Sequence, residues 1–136
     1  MHIFSYWSKH LNIEYPYVNL RVYINERDKS NHKKNIEIVS YMGKLTTIEV
    51  DPDRVMQVLR NLINNAKKFS TEKSKIILKV NLEGQVIKFS VKDQGIGISP
   101  ENKAKIFEPF FSPKTKGKGT GLGLSVTHGI ITKHNG

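Results

Sequence analysis

The segment "DPDRVMQVLRNLINNAKKF" (51–69), followed closely by "KIILKVNLEGQVIKFSVKD" (75–93), decides the fold. The first part repeats its apolar residues with the period of a helix, the second with the period of strands. Val55, Leu59, Leu62, Ala66 and Phe69 recur at i, i+4 and i+7; Asp51 can cap the helix and Pro52 suits its first turn. In the second part, Ile76, Leu78, Val80 and Leu82 point to one side of a strand. Ile87, Phe89 and Val91 answer from a second strand beyond a Glu83-Gly84 turn, which predicts a hairpin.

Outward from this unit the signals weaken. "NIEIVSYM" (35–42) and "LTTIEV" (45–50) are short β-type runs around Gly43. Residues 19–32 fit either a strand through Val22 and Ile24 or a helix capped by Asn19. Residues 1–18 are aromatic-rich and read as an irregular linker, or the remnant of a preceding segment, closed by "YPY" at 15–17. Downstream, Ser99-Pro100 opens a short helical segment to about residue 106. Residues 107–121 form a long loop, and 122–134 a closing helix.

Bulk properties exclude several classes. A chain of 136 residues suits one domain, and the absence of cysteine removes disulfides, thiolate zinc sites and cysteine nucleophiles. No apolar run approaches the roughly 20 residues of a membrane span. The formal net charge of +10 admits a nucleic-acid partner or an acidic or phosphorylated ligand. The lysines are scattered apart from Lys114, Lys116 and Lys118, and no nucleic-acid-binding signature accompanies them, so no nucleic acid is expected.

Three stretches carry chemistry. Asn61 and Asn65 lie four apart on one helix face with Lys68 beyond them. This stripe is either a solvated face or a metal–phosphate site, with an amide oxygen for magnesium and an ammonium for phosphate. "DQGIGIS" (93–99) ends an apolar strand in a carboxylate, which would repel phosphate but suits the exocyclic amino group of adenine. Gly95 and Gly97 would let a flat base approach, with Ile96 and Ile98 in apolar contact; a plain glycine turn is the alternative. "GKGTGLGL" (117–124) runs alternating glycines into a helix start, where N–H groups can cradle phosphates, unless it is a linker. Neither the G-x-x-x-x-G-K-[ST] nor the G-x-G-x-x-G fingerprint is present.

In order, "NLINNAKKF", "DQGIGIS", "FEPFF" and "GTGLGLSV" resemble the catalytic ATP-binding domain of sensor histidine kinases, within the superfamily of DNA gyrase, Hsp90 and MutL. The resemblance spans 35–136, with 19–34 fitting less specifically, and implies a domain over 19–136. It implies an α/β (α+β) two-layer sandwich: a mixed sheet, helices on one face, and an ATP lid loop between helices. It also implies ATP and Mg2+ as ligands, with Asn65 on the metal, Asn61 beside the triphosphate and Lys68 on phosphate, Asn61 and Lys68 being the catalytic pair. Phe69 would pack by the adenine, Asp93 would take its amino group, and Gly95, Ile96, Gly97 and Ile98 would flank the base. Phe110, Lys114 and Lys116 would belong to the lid, and Gly119, Thr120, Gly121, Leu122, Gly123 and Leu124 to its phosphate-contacting hinge.

Where ATP-hydrolysing members have E-x-x-x-N, this chain has Asn61 and thus N-x-x-x-N. An amide is no base near neutral pH, whereas a neutral imidazole needs none to attack phosphorus. The resemblance therefore favours transfer to histidine over hydrolysis. A nucleotide-binding module without transfer activity is the alternative. None of His2, His10, His32, His128 and His134 has an acceptor context, and structural roles are expected for all five. Expected partners are a helical dimerisation and phosphoacceptor domain and then a response regulator, in the cytoplasm. The family's two final strands are not seen after "HNG", so an exposed sheet edge, marginal stability and dimerisation through that edge are expected.

Overall fold

The computed structural model describes residues 2–7, 35–42, 51–84, 86–112, 121–134 and 136. The expectations for 19–32 and 45–50, and those for Lys114, Lys116, Gly119 and Thr120, lie outside the described residues.

Four strands, β1 (His2–Trp7), β2 (Glu37–Met42), β3 (Lys75–Glu83) and β4 (Val86–Lys92), form one sheet in the order β1-β4-β3-β2. β2 runs parallel to β3, while β4 is antiparallel to both β3 and β1. The mixed sheet expected from the resemblance is present. The hairpin keeps the faces that the alternation predicts: Leu78 pairs with Val91, Val80 with Phe89, and Leu82 with Ile87. The turn sits one residue later than expected. Glu83 still pairs with Val86, and Gly84 turns at φ +63°, where a side chain would cost strain. At this end a hydrogen bond from Asn81, and then Lys88, hold the Glu83 carboxyl below its ordinary pKa, against an opposing desolvation.

Helix α1 (Pro52–Phe69) is capped by Asp51, whose Oδ1 accepts from the N–H groups of Asp53 (3.1 Å) and Arg54 (3.2 Å). Asp51→Ala removes only this side-chain cap, and is expected to lower stability by about 1 kcal/mol, read from the urea midpoint. The buried face of α1 is wider than the five-residue stripe. Val58 and Ile63 join Leu59, Leu62 and Ala66, while Phe69 stays half-buried. The reason is that α1 packs against two partners, the sheet and helix α3 (Gly123–Lys133). Ile36 just before β2, Ile76, Leu78 and Val80 from β3, Val91 from β4 and Ile130 from α3 complete the core. The opposite sheet face is mixed, with the exposed Glu37–Lys75 pair at 3.2 Å beside the half-buried Val39 and Ile77.

Helix α2 (Pro100–Lys103) is capped by the Ser99 hydroxyl and ends earlier than 106. Beyond it the chain continues in single turns, Lys105 N–H to Asn102 C=O and Glu108 N–H to Lys105 C=O. At its C-terminus α3 is tied to α1 by His134. Nε2 accepts from the Asp51 N–H (3.1 Å) and Nδ1–H donates to the Ile130 carbonyl (2.8 Å), a structural role as expected.

One expectation is corrected. Residues 2–7 form an edge strand, His2 opposite Val91 through Trp7 opposite Val86, where an irregular linker was predicted. "HIFSYW" lacks the period-two pattern of a half-buried strand, yet an edge strand needs only main-chain pairing and β-favouring residues. This pairing occupies the outer edge of β4, so the edge on that side is the one presented by β1.

Candidate nucleotide-binding site

The polar stripe of α1 divides into two kinds of residue. Asn64 is exposed, as on any solvated helix face, but Asn61, Asn65 and Lys68 are half-buried. Asn61 Nδ2 donates to the Gly123 carbonyl and to Thr127 Oγ1, both at 3.2 Å. The amide therefore bridges α1 to the first turn of α3. Lys68 Nζ lies 5.1 Å from the centroid of the Phe69 ring.

The C-terminus of α1 meets the loop after β4. Ser70, the C-cap, pairs with Gly95 in an isolated antiparallel bridge. Asp93, half-buried one residue beyond β4, accepts the Gly95 N–H at Oδ1 (2.8 Å). A Cβ on Gly95 would lie 2.6 Å from the Phe69 carbonyl oxygen and 2.9 Å from Asp93 Oδ1, so only glycine fits. The Gln94 amide oxygen accepts the Lys75 N–H (2.9 Å) and anchors the loop to β3. Gly97 turns at φ +74° between an exposed Ile96 and a half-buried Ile98. One carboxylate oxygen of Asp93 is thus fixed on the loop, beside glycine backbone that carries no side chain.

The chain on either side of residues 111–120 comes together at one place. A Cβ on Gly121 would sit 2.6 Å from the Phe110 carbonyl carbon, so the backbones on either side of residues 111–120 touch. Both residues have positive φ, +63° at Phe110 and +69° at Gly121, the former uncommon for a bulky side chain. The Phe110 ring is 75 % exposed. Phe107 packs on His128 of α3 with ring centroids 5.1 Å apart.

The structure therefore joins Phe69, Asp93 and Gly95 at one corner, Phe110 and Gly121 at another, and Asn61 with Gly123 between the helices. Leu122 is half-buried, and the half-buried Leu124 packs against the core. Thr127, Ser70 and Gln94 were not singled out from the sequence. Thr127 carried one signal, a hydroxyl four residues after Gly123 and hence on the same face of the helix.

Residues 50–136 match the family described as Histidine kinase-, DNA gyrase B-, and HSP90-like ATPase. The chain is 42% identical over 92 residues to the sensor histidine kinase ZraS of Escherichia coli O157:H7, covering 68% of this chain and 20% of that protein. It is 38% identical over 95 residues to the sensor histidine kinase WalK of Bacillus subtilis (strain 168), covering 65% of this chain and 16% of that protein. The chain thus spans a fifth or less of these two relatives. Among solved structures, the catalytic domain of histidine kinase ThkA superimposes with a TM-score of 0.72 at 32% identity, over 98% of this chain and 82% of that one. Full-length ShkA in complex with AMPPNP gives a TM-score of 0.69 at 34% identity, over 82% of this chain and 23% of that one. With its helix–hairpin scaffold, its glycine platform beside Asp93 and a family match over more than half its length, the chain belongs to the histidine kinase-, DNA gyrase B- and HSP90-like ATPases, as an ATP-binding catalytic domain of the sensor histidine kinase type.

Proposed function

We propose that the chain binds Mg-ATP between the C-terminal half of α1, the 93–98 loop and the lid neck, and passes its γ-phosphoryl group to a histidine on a separate helical domain. The observation that carries this reading is the corner where Ser70 bridges Gly95 and Asp93 is held by the Gly95 N–H. A carboxylate beside a side-chain-free backbone suits the amino edge of adenine. Phe69, immediately before the bridge, would flank the base, and Lys68 would meet phosphate. The net charge of +10 favours an anionic ligand.

The donor set fits magnesium, which takes hard oxygens and keeps waters. Asn65 would supply an amide oxygen, with phosphate oxygens and water completing the shell. When bound, the ion would neutralise charge on the phosphates.

Transfer then needs little from the protein beyond positioning. The lone pair of a neutral imidazole nitrogen on the partner attacks the γ-phosphorus, and the bond from that phosphorus to the bridging oxygen breaks. ADP leaves with the electron pair. Asn61 cannot accept a proton, so the chain has no base there to activate water. A response regulator would collect the phosphoryl group in the cytoplasm.

The test supplies γ-labelled ATP and a helical partner domain carrying the acceptor histidine. Acid-labile label on the partner, absent when the acceptor is changed to Gln, is the expected result. ATP binding without any label on the partner would leave a nucleotide-binding module and sink the transfer reading.

A further inference from the structure

Thr127 is fully buried, at 0 % exposure, in a helix whose other buried residue is Ile130. Its hydroxyl and the Gly123 carbonyl lie one turn apart on α3 and both face Asn61 Nδ2 at 3.2 Å. A carboxamide nitrogen carries two N–H donors, and both acceptors lie within hydrogen-bond distance of it. A backbone carbonyl can only accept, which forces the nitrogen, and not the oxygen, of Asn61 toward α3. The oxygen is turned away, and among the described residues it receives no hydrogen bond.

We propose that Thr127 is a positioning residue that locks the Asn61 amide with its oxygen presented to the nucleotide side, an inference that rests on the nucleotide site proposed above. In this orientation Asn61 cannot donate to a phosphate. It offers a hard oxygen beside that of Asn65, one helical turn away, to the magnesium shell or to a water within it. Residues behind a ligand that fix its orientation tune metal affinity almost as strongly as the ligand itself. Without the Thr127 acceptor only the Gly123 carbonyl holds the amide nitrogen, so the plane of the carboxamide loosens and its oxygen is presented less firmly. The site would then bind nucleotide with less help from magnesium. The companion bond to the Gly123 carbonyl joins α1 to the first residue of α3, two residues after Gly121.

Two measurements on the 136-residue chain test this. The first is exchange of the asparagine side-chain amide protons by NMR without nucleotide. Asn61 is expected to exchange more slowly than the exposed Asn64 in wild type and in Thr127→Ser, and faster than wild type in Thr127→Val, where only the Gly123 carbonyl still holds it. Equal rates for Asn61 and Asn64 in wild type overturn the lock without any variant, so a Val variant that fails to fold does not protect the proposal. The second is the affinity for an unhydrolysable ATP analogue in magnesium and in EDTA. The magnesium-dependent gain is expected to fall about tenfold in Thr127→Val and to be restored in Thr127→Ser. An unchanged gain in a folded Thr127→Val overturns the presented-oxygen role. If wild type binds no analogue under either condition, the nucleotide site itself is wrong and that role falls with it, while amide exchange still decides the lock.

Discussion

Asp93→Asn is expected to weaken binding of an ATP analogue by about 100-fold while leaving the fold intact. The Gly95 N–H sets the geometry of the variant. It needs an acceptor, and the wild-type carboxylate supplies Oδ1 at 2.8 Å. In the variant the carboxamide oxygen must take that place, which turns its NH2 group to where the second carboxylate oxygen was. In the proposed site adenine presents its exocyclic amino group there, so donor meets donor and both lose a partner on desolvation. Two unmatched groups at about 1–3 kcal/mol each can account for a loss of this size. Guanine presents a carbonyl oxygen at the same ring position, so the variant should also lose much of its preference for ATP over GTP analogues. Calorimetric titration with both nucleotides, alongside a thermal melt, reads both effects. The sign is diagnostic as well. Were Asp93 beside the phosphates, removing its charge would tighten binding, and a gain in affinity would place the base elsewhere.

The second large effect is at Gly95, where the obstruction is backbone. An added Cβ would meet the Phe69 carbonyl oxygen at 2.6 Å, its carbon at 3.0 Å and Asp93 Oδ1 at 2.9 Å. Neither Phe69 atom belongs to a side chain that can swing aside. Gly95→Ala must therefore push the loop off the end of α1, breaking the Ser70 bridge and displacing the Gly95 N–H from Asp93. A cost of about 2–3 kcal/mol in urea unfolding is expected, typical of forced backbone shifts, together with loss of analogue binding. Gly97 supplies the contrast. Nothing lies within 4 Å of its added Cβ, and only its φ of +74° resists a side chain, so Gly97→Ala should cost about 1 kcal/mol. Equal costs at the two positions would mean that the contact between the loop and α1 does not limit stability.

Most of the scaffold was legible because its signals are local. The α1 cap, the two strands of the hairpin and the opening of α2 at Ser99-Pro100 each follow from residues within a few positions of one another. The misreadings share a different character. The β1 strand was missed because its pairing with β4 spans most of the chain and leaves no period in "HIFSYW". Val58 and Ile63 fell outside the expected stripe because a single helical period anticipates one packing partner, and α1 has two.

The candidate site divides along the same line. Residue identity alone shows that Asn61 is no base, that Asp93 cannot sit against phosphate unassisted, and that the glycine boxes need close backbone approach. Those are properties of functional groups, and they hold in any fold. Only the tertiary structure decided that Gly95 lies on the Phe69 carbonyl, that Gly121 lies on Phe110, and that the amide nitrogen of Asn61 is held by two acceptors of α3, at positions 62 and 66 residues away. Such contacts depend on how helices and sheet close over one core. Spacing along the chain sets which residues share a face, while closure sets which faces meet, and so how Asn61 is turned.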